Sequence, residues 1–333
     1  MSELRRDPVL GRWVVIAPDR VRQLAMPRLP LPAAVPPESC PFCPGHEELT
    51  PPEVHAVRPE AKSPNTPGWT LRVIPNNTPA LRVEGELNRQ GEGLYDRMNG
   101  IGAHEIVIET PEHGRDMADM SVDDVAAVLW AWSERIRDLS GDLRLTAAAV
   151  FRNYGIAGVS SVVHPHSQIV ALPVVPQALV DEIEGGAAHY RNRERCVWCD
   201  VIRQERKDSV RLVLENEDAI VLCPWAARVP FECQVLPVRH ASTFEEETAA
   251  TVRSMAEALQ ETLRRLKVAL DAPPYMLALH SAPLRERGLA HYHWHIEILP
   301  RLAPSAGFEW GAGSFINPVA PEEAAAILKK LRG

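Results

Sequence analysis

Cations are in short supply in this chain: 36 Lys and Arg stand against 44 Asp and Glu, a net charge of −8. Nucleic-acid binding needs a basic face, so this balance argues against such a partner, though not against a local basic pocket. Long apolar runs are also missing. The longest, Ile169 to Val180, is interrupted by Pro173 and Pro176 and is too short to span a bilayer. The first residues, Met1-Ser2-Glu3-Leu4-Arg5-Arg6-Asp7-Pro8, hold no stretch of signal-peptide length, so the expected location is the cytoplasm, with no membrane partner. Cysteine is sparse, and four of the six form two C-x-x-C pairs. Without an export signal, metal binding is the better reading than disulfides. The other two, Cys223 and Cys233, read as isolated, buried apolar thiols.

What is present is ordinary in bulk and unusual in order. Hydrophobic residues make up 45% and charged residues 24% of 333, enough for one large core or two medium ones. Ligand-type residues recur in the same order twice. Cys40-Pro41-Phe42-Cys43 is followed by His113 and by His164-Pro165-His166-Ser167-Gln168; Cys196-Val197-Trp198-Cys199 is followed by His240 and by His293-Trp294-His295-Ile296-Glu297. The offsets are 156, 156, 127, 129 and 129 residues, a drift that loop-length changes between related halves explain. Each copy offers two thiols and two imidazoles, the donor mix a tetrahedral zinc prefers, and four protein ligands make a structural site. The candidate sets are Cys40, Cys43, His113 and His164, and Cys196, Cys199, His240 and His293, with His280 and His291 as substitutes in the second.

Fourteen of the 30 prolines lie between Pro27 and Pro79, so regular structure should be sparse there and the first C-x-x-C should sit in a loop. Beyond it the halves run in parallel. A strand leads to each of His113 and His240. An amphipathic helix then begins near Ser121, with Val125, Val128, Leu129, Trp132, Ile136 and Leu139 as its apolar stripe. Its counterpart begins near Thr243, with Val252, Met255, Leu259, Leu263 and Leu266. Further strands are expected over 145–151 and 168–172, and over 274–280 and 297–299. The fold class is therefore α+β: two tandem units, 1–175 and 176–333, sharing a mainly antiparallel sheet with helices packed on it. Trp132, Trp198, Trp225 and Trp310 read mostly as core residues.

Only the first copy ends in His-Pro-His-Ser-Gln. His164 and His166 alternate, so an extended strand would put both on one face, one held by metal and the other beside it. A metal-free imidazole is a good nucleophile near neutral pH, and attack on phosphorus would give a phosphoramidate. A partly exposed His166 is expected. Residues 155–161, Gly-Ile-Ala-Gly-Val-Ser-Ser, form a small-residue loop that can approach a phosphate closely, and Gln168 can donate to it without adding negative charge. The second copy has Glu297 in place of Gln168, and a carboxylate would repel a phosphoryl group. Chemistry is therefore assigned to the first half and scaffolding to the second.

These residues resemble the galactose-1-phosphate uridylyltransferase family, a branch of the histidine-triad superfamily. The likeness runs from Arg6-Asp-Pro-Val-Leu-Gly-Arg-Trp-Val-Val-Ile-Ala-Pro-Asp-Arg20 through Cys40–Cys43, Val73-Ile-Pro-Asn-Asn77, Asn153-Tyr-Gly155 and His164–Gln168 to the segment 307–318. It implies two histidine-triad-like units and a ping-pong reaction through a nucleotidyl-histidine at His166, moving UMP between UDP-glucose and galactose 1-phosphate. It also implies Gln168 and Ser161 as phosphate ligands, and Arg20, Asn76, Asn77, Asn153 and Phe308 as substrate contacts. The implied ions are zinc in the first site and zinc or iron in the second; the implied partners are a nucleotide sugar, a sugar 1-phosphate and a second copy in a homodimer. One departure stands out. Enterobacterial-type enzymes carry a Tyr-Glu pair and a downstream Gln in the sugar-binding segment; here the stretch reads Ala312-Gly313 with no matching Gln. The Gly-Phe-Glu-x-Gly-x-Gly form and the second C-x-x-C are similar to plant ADP-glucose phosphorylase, whose nucleotidyl acceptor is phosphate.

Overall fold

The computed structural model describes residues 1–20, 35–60, 62–155, 162–303 and 307–331. The first half contributes β1 (Glu3–Arg6), β2 (Trp13–Ile16), β3 (His55–Val57), β4 (Leu71–Pro75), a hairpin of β5 (Gln90–Glu92) and β6 (Tyr95–Arg97), β7 (Ala103–Ile108), α1 (Val122–Leu139), β8 (Ala147–Tyr154) and β9 (His166–Leu172). The second contributes α2 (Gln177–Arg193), α3 (Val197–Asp208), β10 (Leu212–Glu215), β11 (Ala219–Leu222), β12 (Cys233–Pro237), α4 (Ala249–Ala269), β13 (Tyr275–His280) and β14 (His295–Pro300). The short α5 (Gly307–Ala312), β15 (Phe315–Asn317) and α6 (Pro321–Lys330) complete the described chain. No described helix is long and apolar enough to cross a membrane.

Ten strands form one sheet in the order β10-β11-β12-β14-β13-β8-β9-β7-β4-β3, with every pairing antiparallel. Each half supplies five strands in the same internal order, and the halves join where β8 pairs with β13. The α+β class and the shared antiparallel sheet expected from the repeat are what the chain forms.

Alternation sorts the two faces of this sheet. Val107, Val150, Ile169, Leu277, Ile296 and Val235 point to one side and are buried there with α1 and α4 in the main core. Burying each such side chain contributes roughly 1.5–3 kcal/mol. The α1 stripe from Val125 to Leu139 lies wholly in that core. Its start is a capping box: Asp124 N–H donates to Ser121 Oγ at 3.1 Å and Ser121 N–H to Asp124 Oδ2 at 3.3 Å.

The second long helix begins later than expected. α4 starts at Ala249, capped by Thr248, whose Oγ1 accepts from Thr251 N–H at 3.2 Å. Thr243 and Glu246 have the spacing of a capping box, but Phe244 is fully buried and its N–H donates to Ser281 Oγ at 3.0 Å. That tertiary contact holds 244–246 in a separate 3-10 turn.

The tryptophans divide. Trp132 and Trp198 are core residues, whereas Trp225 is 41% and Trp310 83% exposed. Trp225 is held between guanidinium groups instead, with Arg5 4.1 Å and Arg211 5.0 Å from its ring centre. Cys223 and Cys233 are buried as expected but not isolated: the antiparallel pairing of β11 and β12 brings their sulfurs within 4.0 Å.

Candidate active site and metal centres

The first C-x-x-C sits in a turn closed by Cys43 N–H to Cys40 O at 3.2 Å. Glu47 braces it, accepting from Gly45 N–H at 3.0 Å and from Trp69 Nε1–H at 2.8 Å. Cys40, Phe42 and Cys43 pack on Ile74, Ile106 and Ile108, on the sheet face opposite α1. His113 arrives from the loop after β7 and His164 from the bend before β9. One donor atom from each of Cys40, Cys43, His113 and His164 lies within 4.8 Å of the others.

His164 Nε2 is 2.7 Å from the carbonyl of Thr110. A carbonyl only accepts, so Nε2 carries the proton and the Nδ1 lone pair faces the sulfurs, 3.7 Å from Cys40 and 3.5 Å from Cys43. His113 Nδ1 is 3.4 Å from Cys43. Zinc bonds of about 2.3 Å to sulfur and about 2.05 Å to nitrogen at a tetrahedral angle put the donors roughly 3.5 Å apart. The residues fit such an ion, and the proton on the far side of the ring is the usual support for a metal-ligating histidine. Burial, then the neighbouring Cys40, push the Cys43 thiol up to about 12. Two thiolates this close need a shared cation, which is the charge a divalent metal supplies.

The second group repeats the design. Cys196 caps α3 and Cys199 lies in its first turn. Cys199 Sγ is 3.5 Å from His240 Nδ1 and 3.7 Å from His293 Nδ1, while His293 Nε2 donates to Pro237 O at 2.9 Å. These four donors also lie within 4.8 Å of one another. His280 and His291, the expected substitutes, are elsewhere: His280 bonds Glu182, and His291 lies against the Tyr190 ring.

His166 opens β9, and its Nδ1 is 2.7 Å from the carbonyl of His164. The same argument puts the proton on Nδ1 and leaves the lone pair on Nε2. Burial is the main cause that lowers the proton affinity of this ring; the hydrogen bond to His164 opposes it, and nearby Arg152 lowers it further. The neutral form is therefore favoured. Two expectations change here. His164 lies in a bend, so the two histidines are linked through a backbone carbonyl and not by strand alternation. His166 is only 8% exposed, edge-on to Phe42 at 5.5 Å, because the C-x-x-C loop folds over it.

Gln168 follows two residues along β9. Ala80 N–H donates to His104 Nδ1 at 3.2 Å, so Nε2–H of that ring donates to Gln168 Oε1 at 2.8 Å. With its oxygen engaged, the Gln168 amide presents N–H groups as donors. Asn76 lies at the same histidine, its side-chain nitrogen 3.1 Å from Nε2. Asn153 lies on β8, next to the Arg152–Ser167 pair that joins β8 to β9. The structure thus gathers His166, Gln168, Asn76 and Asn153 around adjacent strands. Asn77 is exposed, its amide 3.5 Å from Leu49 O. Arg20 follows β2, and Phe308 sits half-exposed on α5. Ser161 and most of the small-residue loop lie outside the described residues.

The second copy is filled by its own chain. His295 bonds the carbonyl of His293 at 3.1 Å, as His166 bonds that of His164. Its Nε2, however, faces Glu182 from α2 at 3.8 Å. Glu182 also takes His280 Nδ1 at 2.8 Å and the Tyr292 hydroxyl at 3.0 Å. Glu297, in the place of Gln168, is bound by Arg228 at 2.6 Å. An anion would meet two carboxylates there.

A family model, galactose-1-phosphate uridyl transferase N-terminal domain, matches residues 1–176. The chain belongs to the galactose-1-phosphate uridylyltransferase family. It is an enzyme of that family. It is 32% identical to an ADP-glucose phosphorylase of Arabidopsis thaliana across 99% of this chain and 93% of the relative. It is 29% identical to a galactose-1-phosphate uridylyltransferase of Thermotoga maritima across 99% and 98%. A solved Arabidopsis ADP-glucose phosphorylase with bound ADP-glucose superposes with a TM-score of 0.85 at 31% identity, covering 100% of both chains.

Sequence reasoning passed over His104, Thr110 and Glu182. His104 was visible only as the start of a strand; its meeting with Gln168 depends on the β7–β9 register. Thr110 acts through its carbonyl, which no residue type announces. Glu182 reaches the second site from α2 by meeting His280 at the end of β13 and His295 at the start of β14, a tertiary placement without a local signal.

Proposed function

We propose that this chain is a nucleotidyltransferase that passes a nucleoside monophosphate from a nucleotide sugar to a phosphate-bearing acceptor through His166. The orientation of the His166 ring carries the reading. With Nδ1–H held by the His164 carbonyl, Nε2 is the nucleophile. It bonds to the α-phosphorus while the bridging P–O bond breaks and sugar 1-phosphate departs with the electron pair. The ring becomes an N-phosphoryl imidazolium, its positive charge eased by the hydrogen bond to the carbonyl. A phosphate oxygen of the acceptor then attacks the same phosphorus and the P–N bond breaks. Gln168 donates to the phosphoryl oxygens, joined by Ser161; Arg20, Asn76, Asn77, Asn153 and Phe308 contact the substrate. Zinc in the Cys40, Cys43, His113, His164 group, and zinc or iron in the Cys196, Cys199, His240, His293 group, supply structural cross-links. His164 then has two duties: its ring anchors the loop and its carbonyl orients His166. Units 1–175 and 176–333 divide the labour between chemistry and scaffold, in a cytoplasmic homodimer.

For the nucleotide, the first reading is UMP exchange between UDP-glucose and galactose 1-phosphate, supported by family membership and the Thermotoga relative. The second is transfer of AMP from ADP-glucose to phosphate. It is supported by the Arabidopsis relatives, the Gly307–Gly313 segment and the Cys-Cys-His-His second group. Incubation with each donor alone, followed by galactose 1-phosphate or phosphate, separates them. Release of glucose 1-phosphate from UDP-glucose in an amount equal to the enzyme, then turnover with galactose 1-phosphate, supports the first. ADP formed only with ADP-glucose and phosphate supports the second. Steady release of nucleoside monophosphate to water alone would overturn both.

A further inference from the structure

The sheet face opposite the catalytic ring holds a charged assembly that a stable core does not require. Ser167, between His166 and Gln168, points to the α1 side, where its Oγ accepts from Trp132 Nε1–H at 2.8 Å. The Glu109 carboxylate lies on the same side of the sheet, near enough for the Ser167 hydroxyl to favour its charged form. Arg152, directly across from Ser167 in the β8–β9 pair, places Nε 2.9 and 3.1 Å from the two Glu109 oxygens. It also reaches the Tyr275 hydroxyl at 2.5 Å and Asp116 at 3.3 Å, and Tyr275 in turn donates to Asp116 at 2.9 Å. Ser167, Glu109, Arg152, Asp116 and Tyr275 are all at most 4% exposed.

The second half shows what the fold alone needs at these positions. The pair corresponding to Arg152 and Ser167 is Leu279 and Ile296, opposed in the same way between β13 and β14 and equally buried. No acid stands in its Leu236-Pro237-Val238 stretch. Replacing a buried ion pair by apolar residues is often neutral or stabilising, because the charges lose hydration that their attraction only partly restores. The catalytic half keeps the charged version, which points to a use beyond stability.

Its reach explains what it does. Glu109 N–H donates to Pro165 O at 3.2 Å, and the next carbonyl, Thr110 O, holds the His164 ring. The Glu109 side chain meets Ser167 at the other end of the same run. Consecutive strand residues face opposite sides of a sheet. Fixing Ser167 on the helix side therefore fixes the direction of His166 on the substrate side. Resting on the reading that His166 is the nucleophile, we infer that Ser167, Glu109 and Arg152 are positioning residues that aim the His166 ring from behind the sheet.

Ser167→Ala removes one hydroxyl and little volume, and Ser167→Thr restores the hydroxyl. In zinc-loaded protein, Ser167→Ala lowers the rate of nucleotidyl-enzyme formation about 10- to 100-fold, the scale of a misaimed reacting group. The donor KM stays within about twofold, zinc content is unchanged, and Ser167→Thr recovers most of the rate. Nitrogen-15 spectra of the His166 ring give a readout independent of turnover: one Nδ1–H tautomer in the wild type, and a mixture in Ser167→Ala. A Ser167→Ala enzyme with wild-type rate and ring spectrum overturns the inference and leaves the nucleophile intact. Equal losses in the Ala and Thr variants, in step with lost zinc or thermal stability, overturn it too. If the wild type accepts no nucleotidyl group from any donor, the reading of His166 falls, and an unchanged ring spectrum in Ser167→Ala sinks the positioning role separately.

Discussion

Raising the pH from 6.5 to 9 should weaken the fold through one imidazole. His280 Nδ1 lies 2.8 Å from Glu182 Oε1, and its Nε2 lies 3.8 Å from Glu297 Oε2. Burial by itself would lower the pKa of this ring, and Arg228 acts the same way; Glu182 first and Glu297 next outweigh them, lifting it from 6.5 to about 9. Above pH 6.5 the unfolded chain has released a proton that the folded chain still holds. Unfolding free energy therefore falls as pH rises. The contribution is complete below pH 6.5 and is lost as pH climbs through about 9. At about 1.36 kcal/mol per pH unit, two and a half units amount to ~3 kcal/mol. Urea unfolding of zinc-loaded wild type and His280→Gln at pH 6.5, 7.5, 8.5 and 9 isolates the effect, since other titrating groups are common to both. Wild type should lose about 3 kcal/mol more than the variant across the range. Parallel curves would refute the reasoning.

Three other outcomes follow from the packing and the metal groups. Cys40→Ser should remove about one metal ion per chain and lower stability by several kcal/mol, because metal binding and folding are coupled; normal metal content by elemental analysis would remove the first site as drawn. Ser121→Ala breaks the capping box of α1 and should cost about 1 kcal/mol in urea unfolding. Leu259→Ala empties a fully buried site between α4 and the sheet and should cost about 2–5 kcal/mol, with the metal content unchanged.

Periodic and local features were legible in the sequence. The α1 stripe and its Ser121 start, the paired C-x-x-C sets and the repeated strand order each follow from spacing within a few residues. Tertiary features were not. The Thr243 start for α4 failed because Phe244 is drawn into the core, which outweighs a capping signal. The exposure expected of His166 failed because the Cys40–Cys43 loop covers it, a placement that depends on how distant segments pack. Trp225 and Trp310 look like core residues by type, yet they sit on the surface. The clamp of Ser167, Glu109 and Arg152 joins three segments through strand register, which becomes readable only once β7, β8 and β9 are aligned.

The central claim is covalent chemistry at a single ring nitrogen. The most direct test uses UDP-glucose and ADP-glucose labelled in the α-phosphate, an alkaline quench and peptide mapping. One nucleotidyl group per chain is expected, carried by the peptide containing His166 and absent from His166→Ala. Label on another residue, no label from either donor, or undiminished transfer by His166→Ala would contradict it.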